Sequence, residues 1–247
     1  MKASIVLPAY NEAENIAEVV QAVFKHQPQG WEYEVIVVDD NSPDKTYEKV
    51  KTAFAGDARV RPILRTHDRG LAKSIRAGFE AATGDWLITM DSDLTHDPAE
   101  IPKMLVIGQI YDVVSGSRFC PGGNMDSRLH YYFSLIFNWF TRAVLNTQIQ
   151  DNFGGFFVIR KDKLRQLPLD EIFSGYGDYF FRLLHHAQLR DMSVLEIPAF
   201  YHERRKGSSK SHFFWLLFQY ASAVLSFRLG ILLSRGRSFK DASSRQA

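Results

Sequence analysis

Cysteine is nearly absent: Cys120 is the only one in 247 residues. A single thiol excludes an internal disulfide framework and a cysteine-based zinc cluster, and fits a reducing compartment. A charge excess of one sign is missing too. Thirty basic residues against 28 acidic ones leave a formal net charge of +2, so no nucleic-acid partner is expected. No repeat and no low-complexity linker interrupts the chain. The start, MKASIVLPAYNE, lacks a charged segment followed by a long apolar one, so no secretory signal is expected. Apolar side chains are plentiful, at 45%. That argues against disorder and for a substantial core.

The first half alternates short apolar runs with helical patterns. SIVLP, YEVIVVDD, VRPILRT, DWLITMD and YDVVSGSR read as strands. EAENIAEVVQAVFKH sets Ile16, Val19, Val20, Val23 and Phe24 on one helical stripe. DKTYEKVKTAF, GLAKSIRAGFEAA and PAEIPKMLVIG read as further helices, the second expected to stop at Thr83-Gly84. The alternation predicts an α/β fold with a doubly wound, mostly parallel, Rossmann-like sheet. Ligands of such sheets bind beyond the carboxyl ends of the strands. Pro8, Tyr10, Asn11 and Glu12 follow the first strand, and Asp39, Asp40, Asn41 and Ser42 the second. Asp91 and Asp93 follow the fourth, and Ser117 and Arg118 the fifth.

The second half breaks the pattern. RLHYYFSLIFNWFTRAVLN reads as a helix with apolar residues nearly all round, DNFGGFFVIRK as a glycine-hinged strand, YGDYFFRLLHHAQ as a helix and SVLEIPAFYHE as a strand. Residues 213–234 are long enough to span a bilayer, but Gln219 and Arg228 interrupt them. Arg204, Arg205, Lys206 and Lys210 precede this stretch, and Arg235, Arg237 and Lys240 follow it. A helix lying in the membrane interface fits best, a buried core helix second, a spanning helix third. The expected layout is one domain over 1–211, with an interface helix near 128–146. An amphipathic, basic-tailed membrane helix then covers 212–247.

TMDSDLTHDP places Asp91 and Asp93 either side of Ser92, and in an extended segment both carboxylates would face one side. Hard oxygen ligands at that spacing suit Mg²⁺ or Mn²⁺, with phosphate oxygens completing the shell. A solvated, capped turn is the alternative those residues leave open. Thr95 and His96 are candidates to touch the metal or its waters, and His96 reads equally well as a turn residue. Asp39 can accept hydrogen bonds from a base or ribose, Tyr10 can stack on a base, and Asp40 reads as a loop cap. His185-His186 reads as structural.

SIVLPAYNE, VIVVDDNSPDKT, RGLAKSIRAGF, GDWLITMDSDLTHDP and VVSGSRF together resemble the family 2 glycosyltransferases, which have the GT-A fold. DNFGGFFVIRKDKL and ERRKGSSK are similar to segments of the dolichyl-phosphate, or polyprenol-phosphate, mannosyltransferases, the latter through Arg204, Gly207, Ser209 and Lys210. The likeness covers about residues 3–211. It implies that Pro8, Tyr10, Glu12, Val37 and Asp39 hold the donor nucleoside, and that Asp91, Ser92 and Asp93 lie at its diphosphate and metal. Arg118 would bind the acceptor phosphate, while Arg204 and Lys210 close over the phosphates. Family members often carry Gln as a metal ligand where this chain has Thr95. A basic residue often stands four positions before a Ser matching Ser134; here that position is His130, with Arg128 two residues earlier. Asp151 would cap a turn or order the acceptor loop, and Asp178 is a candidate acid near the sugar.

The implied activity is metal-dependent, inverting transfer of mannose from GDP-mannose to a polyprenyl phosphate such as dolichyl phosphate. Asp93, Arg118, Arg204 and Lys210 would carry the chemistry. The alternatives are a UDP-glucose or other UDP-sugar donor with the same acceptor, and an inactive nucleotide-sugar-binding subunit. The acceptor implies a membrane surface as partner, with room for a small membrane anchor subunit. It also implies a peripheral or weakly anchored position on the cytoplasmic face.

Overall fold

The computed structural model describes residues 1–175, 177–203 and 213–244, with the side chains of 218–233 in the last segment. The five apolar runs of the first half form β1 (Lys2–Ala9), β2 (Glu32–Asp39), β3 (Val60–Leu64), β4 (Trp86–Thr89) and β5 (Val113–Ser117). Between them lie α1 (Ile16–Lys25), α2 (Thr46–Ala53), α3 (Leu71–Ala81) and α4 (Ile101–Gly108). The second half supplies β6 (Asn124–Met125), α5 (Arg128–Leu145), β7 (Phe157–Arg160), the short α6 (Lys161–Leu164) and α7 (Leu169–Ile172), and α8 (Tyr179–Gln188). β8 (Val194–Pro198), β9 (Phe200–Tyr201) and α9 (Phe213–Ser244) complete it.

Seven strands form one sheet in the order β3-β2-β1-β4-β7-β5-β8, and β6 pairs with β9. Strands β3, β2, β1 and β4 are mutually parallel, as are β5 and β8. Strand β7 alone runs antiparallel, between β4 and β5. Alternate residues of each central strand feed opposite layers. Ile5 and Leu7 pack under α1 and α4 with Val19, Val23 and Leu105, while Val6 packs under α3 and α8 with Ile75, Phe79 and Leu183. Both faces are therefore covered, as a parallel sheet requires.

Helix α3 ends earlier than its glycine suggests. Ala82 is already extended (φ −64°, ψ 138°), so Gly84 is not a left-handed cap. A side chain there would lie 2.7 Å from Ser4 Oγ and 2.9 Å from the Lys2 carbonyl, so close approach to β1 explains the glycine. The freed N–H groups of Thr83 and Gly84 donate to Glu34 Oε1 at 2.5 and 3.2 Å.

Helix α5 is inverted relative to an ordinary surface helix. Asn138 and Thr141 are buried, whereas Leu129, Tyr132, Ile136 and Trp139 are exposed, Trp139 by 70%. Asn138 Oδ1 accepts the N–H of Asn152 at 2.7 Å, which anchors the loop ahead of β7. Helix α9 packs one face on the protein. Its Phe227 lies edge-on to Phe181 and His185, and its Tyr220 stacks on Phe153 with centroids 5.1 Å apart. Phe218, Leu225, Leu229, Leu232 and Leu233 remain exposed. No helix among the described residues is long and apolar enough to cross a membrane. The basic residues Arg204, Arg205, Lys206 and Lys210, and the side chains of Arg235, Arg237 and Lys240, lie outside the described residues.

Candidate active site

Chain order runs from β1 outward through β2 to β3, then returns to β4 on the far side of β1. That reversal opens a crevice at the carboxyl ends of β1 and β4, where ligands of doubly wound sheets bind. Ser92 Oγ donates to the Pro8 carbonyl at 2.8 Å and ties the two strand ends together.

On the β1–β2 side, Tyr10 is 41% exposed, and the Arg69 guanidinium sits 5.1 Å from its ring centroid. A planar cation over an aromatic ring makes a stacking platform suited to a base. Arg69 was not singled out from sequence; its neighbour Gly70 at the start of α3 was the available signal. Asp39 is buried and accepts from the N–H of Ser42 at 3.1 Å and from its hydroxyl. Burial raises its pKa, against those hydrogen bonds. Asp40 does not cap its own loop; its carboxylate receives Arg65 Nη1 and the Gly70 N–H at the start of α3, each at 2.6 Å. Glu12 is drawn into the start of α1, where Asn15 Nδ2 donates to its carboxylate at 2.8 Å. Val37, expected at the nucleoside, is fully buried among the side chains beneath α1, so its side chain does not reach the crevice.

Asp91 and Asp93 are not in an extended segment, because β4 ends at Thr89 and the chain turns, with Leu94 left-handed at φ 64°. Asp93 Oδ1 accepts Thr95 N–H at 3.1 Å and Thr95 Oγ1 at 2.7 Å. The same hydroxyl lies 3.4 Å from Asp91 Oδ2. The turn, rather than strand alternation, therefore brings both carboxylates to one hydroxyl. Asp97 caps the short 3-10 turn Pro98–Glu100 by accepting the Ala99 N–H at 2.9 Å. Among the described residues no group of three or more His, Cys, Asp or Glu side chains could hold a metal ion. Two carboxylates and a hydroxyl still suit Mg²⁺ or Mn²⁺, which retain waters and share substrate phosphate oxygens. His96 is not at the surface of this turn. Its ring is buried between Phe156 and Tyr201.

On the β5 side, Arg118 is buried and held fork to fork by Asp151, with Nε–Oδ2 and Nη2–Oδ1 both 2.8 Å. Asp151 also accepts the Arg118 N–H at 3.0 Å. Burial alone would lower the Arg118 pKa, but the Asp151 charge and hydrogen bonds raise it, so the guanidinium stays cationic. Tyr201 and Phe119 flank that cation at 4.9 and 5.1 Å. The Asp151 loop is itself oriented by Glu196, whose oxygens accept the N–H groups of Gln150 and Asp151 at 2.6 and 2.8 Å. Glu196 and Tyr201 had no sequence signal; both lie on late strands whose placement depends on the sheet order.

Arg128 and His130 are exposed on the first turn of α5, and Ser134 is half-buried. Four residues apart, His130 and Ser134 share a helix face, whereas Arg128 does not share it. His130 Nδ1 lies 2.8 Å from Ser127 Oγ. Beside Phe119 a cavity of about 360 Å³ opens along α5, lined by Leu135, Ile136, Trp139 and Arg142. Asp178 pairs with Arg182 at the start of α8. His185 and His186 are buried beneath Phe227, as structural residues. Arg204 and Lys210 lie outside the described residues. The described chain ahead of them is fastened to the acidic turn, His202 N–H donating to the Thr95 carbonyl at 2.9 Å.

The chain is 33% identical over 216 residues to an undecaprenyl-phosphate mannosyltransferase of Micrococcus luteus, covering 85% of this chain and 87% of that protein. It is 34% identical over 218 residues to a dolichol-phosphate mannosyltransferase of Pyrococcus furiosus, covering 85% of this chain but only 59% of that protein's length. A solved structure of glucosyl-3-phosphoglycerate synthase from Mycobacterium tuberculosis, in complex with Mn²⁺, UDP and glucosyl-3-phosphoglycerate, superposes with a TM-score of 0.70 at 18% identity. It covers 93% of this chain and 80% of that one. The fold is thus of the GT-A type expected from the motifs. The family model described as Glycosyl transferase family 2 matches residues 4–167, and the chain belongs to that family.

Proposed function

We propose that this chain transfers mannose from GDP-mannose to a polyprenyl phosphate such as dolichyl phosphate, inverting the anomeric centre to give a β-linked lipid product. The observation that carries the reading is one rim of one sheet. It bears the paired acids Asp91 and Asp93 at the β1–β4 crevice and the buried cation Arg118 two strands away. The named relatives act on polyprenyl phosphates, which supports the acceptor.

Tyr10 and Arg69 stack on the base, and Asp39 accepts from the nucleoside. Asp91, Asp93 and Thr95 hold the divalent cation. When bound, that cation neutralises charge on the departing diphosphate. Arg118, with His130 and Ser134 on one face at the start of α5, receives the acceptor phosphate. A monoalkyl phosphate has a second pKa near about 6 and is largely dianionic at neutral pH, so no catalytic base is needed. Its oxygen forms a bond to the anomeric carbon, which develops oxocarbenium character. The carbon–oxygen bond to the diphosphate breaks, and GDP leaves with the electron pair. Arg204 and Lys210 close over the phosphates.

The inverted helix α5 lies against the membrane surface, and the cavity beside Phe119 takes the first isoprene units. The protein is peripheral, at the cytoplasmic face, with or without a small anchor subunit. Purified protein incubated with labelled GDP-mannose, Mg²⁺ or Mn²⁺ and polyprenyl phosphate is expected to move label into the lipid phase. Absence of transfer with every metal overturns the reading. Transfer from UDP-glucose instead reassigns the donor.

A further inference from the structure

The guanidinium of Arg118 divides its donors unequally. Nε and Nη2 both turn to the Asp151 carboxylate, which also takes the Arg118 backbone N–H. One whole edge of the fork is therefore occupied. Every side-chain hydrogen bond from Arg118 to a described residue lies on that edge. Nη1 and the outer N–H of Nη2 form the second edge, and two parallel donors of this kind match two oxygens of one phosphate. Asp151 is fully buried, whereas the Arg118 side chain is 10% exposed. Nη1 is no sealed donor either: among the described residues, the arginine nitrogen buried without a partner is Arg142 Nε.

Asp151 is itself pinned. Glu196 Oε1 accepts its backbone N–H at 2.8 Å and Glu196 Oε2 accepts that of Gln150 at 2.6 Å. Glu196 stands on β8, in register with Ser115 on the strand that leads into Arg118. Tyr201 lies 4.9 Å from the guanidinium and donates its hydroxyl to the Gly116 carbonyl of that same strand at 3.4 Å. Backbone pairing thus carries the grip from the sheet to the carboxylate and the cation. The charges bear on the purpose. Arg118 and Asp151 cancel, so the pair brings little net charge to an incoming phosphate. A cation kept only for attraction gains nothing from a buried counter-ion. A cation kept for direction does, because two parallel bonds fix its plane.

We propose that Asp151 is a positioning residue: it occupies the Nε–Nη2 edge of Arg118 so that only the Nη1–Nη2 end meets the acceptor phosphate, and Glu196 holds Asp151 in that pose. A phosphate monoester has three terminal oxygens. Two settle on the open end of the fork, and the third is left to attack the anomeric carbon, its direction set by the sheet. This rests on the reading of Arg118 as the acceptor-phosphate ligand.

The test separates the two. In wild-type protein carrying ¹⁵N-labelled arginine, farnesyl phosphate, a short prenyl phosphate, should move the Nη resonances of Arg118 far more than its Nε–H, which Asp151 already holds. Equal movement of Nε–H overturns the role of Asp151 and leaves Arg118 as the ligand. Movement of neither overturns Arg118 as the ligand, and this inference with it. In Asp151→Asn the carboxamide accepts on one side only, and a buried cation loses its counter-ion. Farnesyl phosphate should then bind several-fold more tightly, while kcat falls about 10²-fold. GDP affinity should be unchanged, which a misfolded variant would not show. Wild-type kcat, or binding and kcat weakened together, marks Asp151 as merely structural. Glu196→Gln keeps an acceptor for one of the two N–H groups. It should lower kcat about tenfold with GDP and farnesyl phosphate affinities kept, and it decides the matter if Asp151→Asn does not fold. Unchanged kcat in Glu196→Gln removes Glu196 from the device.

Discussion

At the residue scale, two buried carboxylates do different work. Asp93 receives both Thr95 donors, and an amide can accept the same N–H. Asp93→Asn should therefore leave the melting temperature nearly unchanged, while turnover falls on the order of 10²–10³-fold, as when one charge-stabilising group is removed. Wild-type turnover in that variant would refute its role. Glu34, at the opposite end of the sheet, is structural. Burial alone would raise its pKa, but hydrogen bonds from Ser4 and Thr83, with Lys2 nearby, bring it down to about 2. A folded pKa below the unfolded value gives stability that is present above about pH 4.5 and is lost as pH falls toward 2. The size is on the order of 2–3 kcal/mol. Urea unfolding of Glu34→Gln should show a deficit at pH 7 that shrinks as the pH drops toward 3.

Some of these residues were legible from position alone. Asp91, Asp93 and Arg118 stand at strand ends in a pattern of strands and helices, which any doubly wound sheet turns into a rim. Val37 was not: a residue inside an apolar strand is claimed by the core before it can serve a ligand. The turn after β4 was also hidden, since a left-handed leucine at 94 has no compositional signal.

At the element scale, packing overrules propensity. Alanine is better than glycine inside a helix by about 1 kcal/mol. Gly78 lies mid-α3, yet a methyl group there would sit 2.9 Å from one Val6 methyl, closer still to the other, and 3.2 Å from Val38. Overpacking of that kind costs about 1–3 kcal/mol. Gly78→Ala should therefore lower the unfolding free energy in denaturant titration, against its helix propensity. Helix α5 obeys the reverse logic on its outer face, for exposed apolar residues such as Leu129, Tyr132, Ile136 and Trp139 are free to be changed without disturbing the core. Leu129→Glu with Tyr132→Glu should keep the melting temperature, yet weaken sedimentation with anionic vesicles by about tenfold or more. Unchanged vesicle binding would remove α5 from the membrane contact. Its apolar composition was visible in the sequence. The inward turn of Asn138 and Thr141 was not, because their partner loop before β7 is placed only by the tertiary fold.

At the scale of the whole molecule, the described chain joins a half of alternating strands and helices, β1 to β5, to a half built from α5, β7, α8 and the late strands. The first was legible as strand–helix alternation. The elements of the second were legible as well, as α5, β7, α8 and β8; their places in the sheet were not, since the direction of β7 and the late entry of β8 and β9 depend on long-range pairing that no local pattern encodes. Ligand binding at the β1–β4 crevice stabilises only the folded chain, so the melting temperature reports donor choice by mass action. GDP-mannose with Mg²⁺ at 100 times its dissociation constant should add about 2.7 kcal/mol. UDP-sugars at the same concentration should shift the transition less. A larger shift from a UDP-sugar would change the assigned donor.

The lone antiparallel strand works as a spacer. Phe157 is paired at once with Thr89 on β4 and with Ser115 on β5. Two interstrand steps of about 4.8 Å therefore separate the roots of the acidic turn and the arginine, roughly 10 Å in all. On the proposed reading, that is room for one hexose between leaving group and incoming phosphate. The gap is measured out by backbone hydrogen bonds rather than by pliable loops, so on the proposed reading the two phosphates would keep their separation however the helices around them shift.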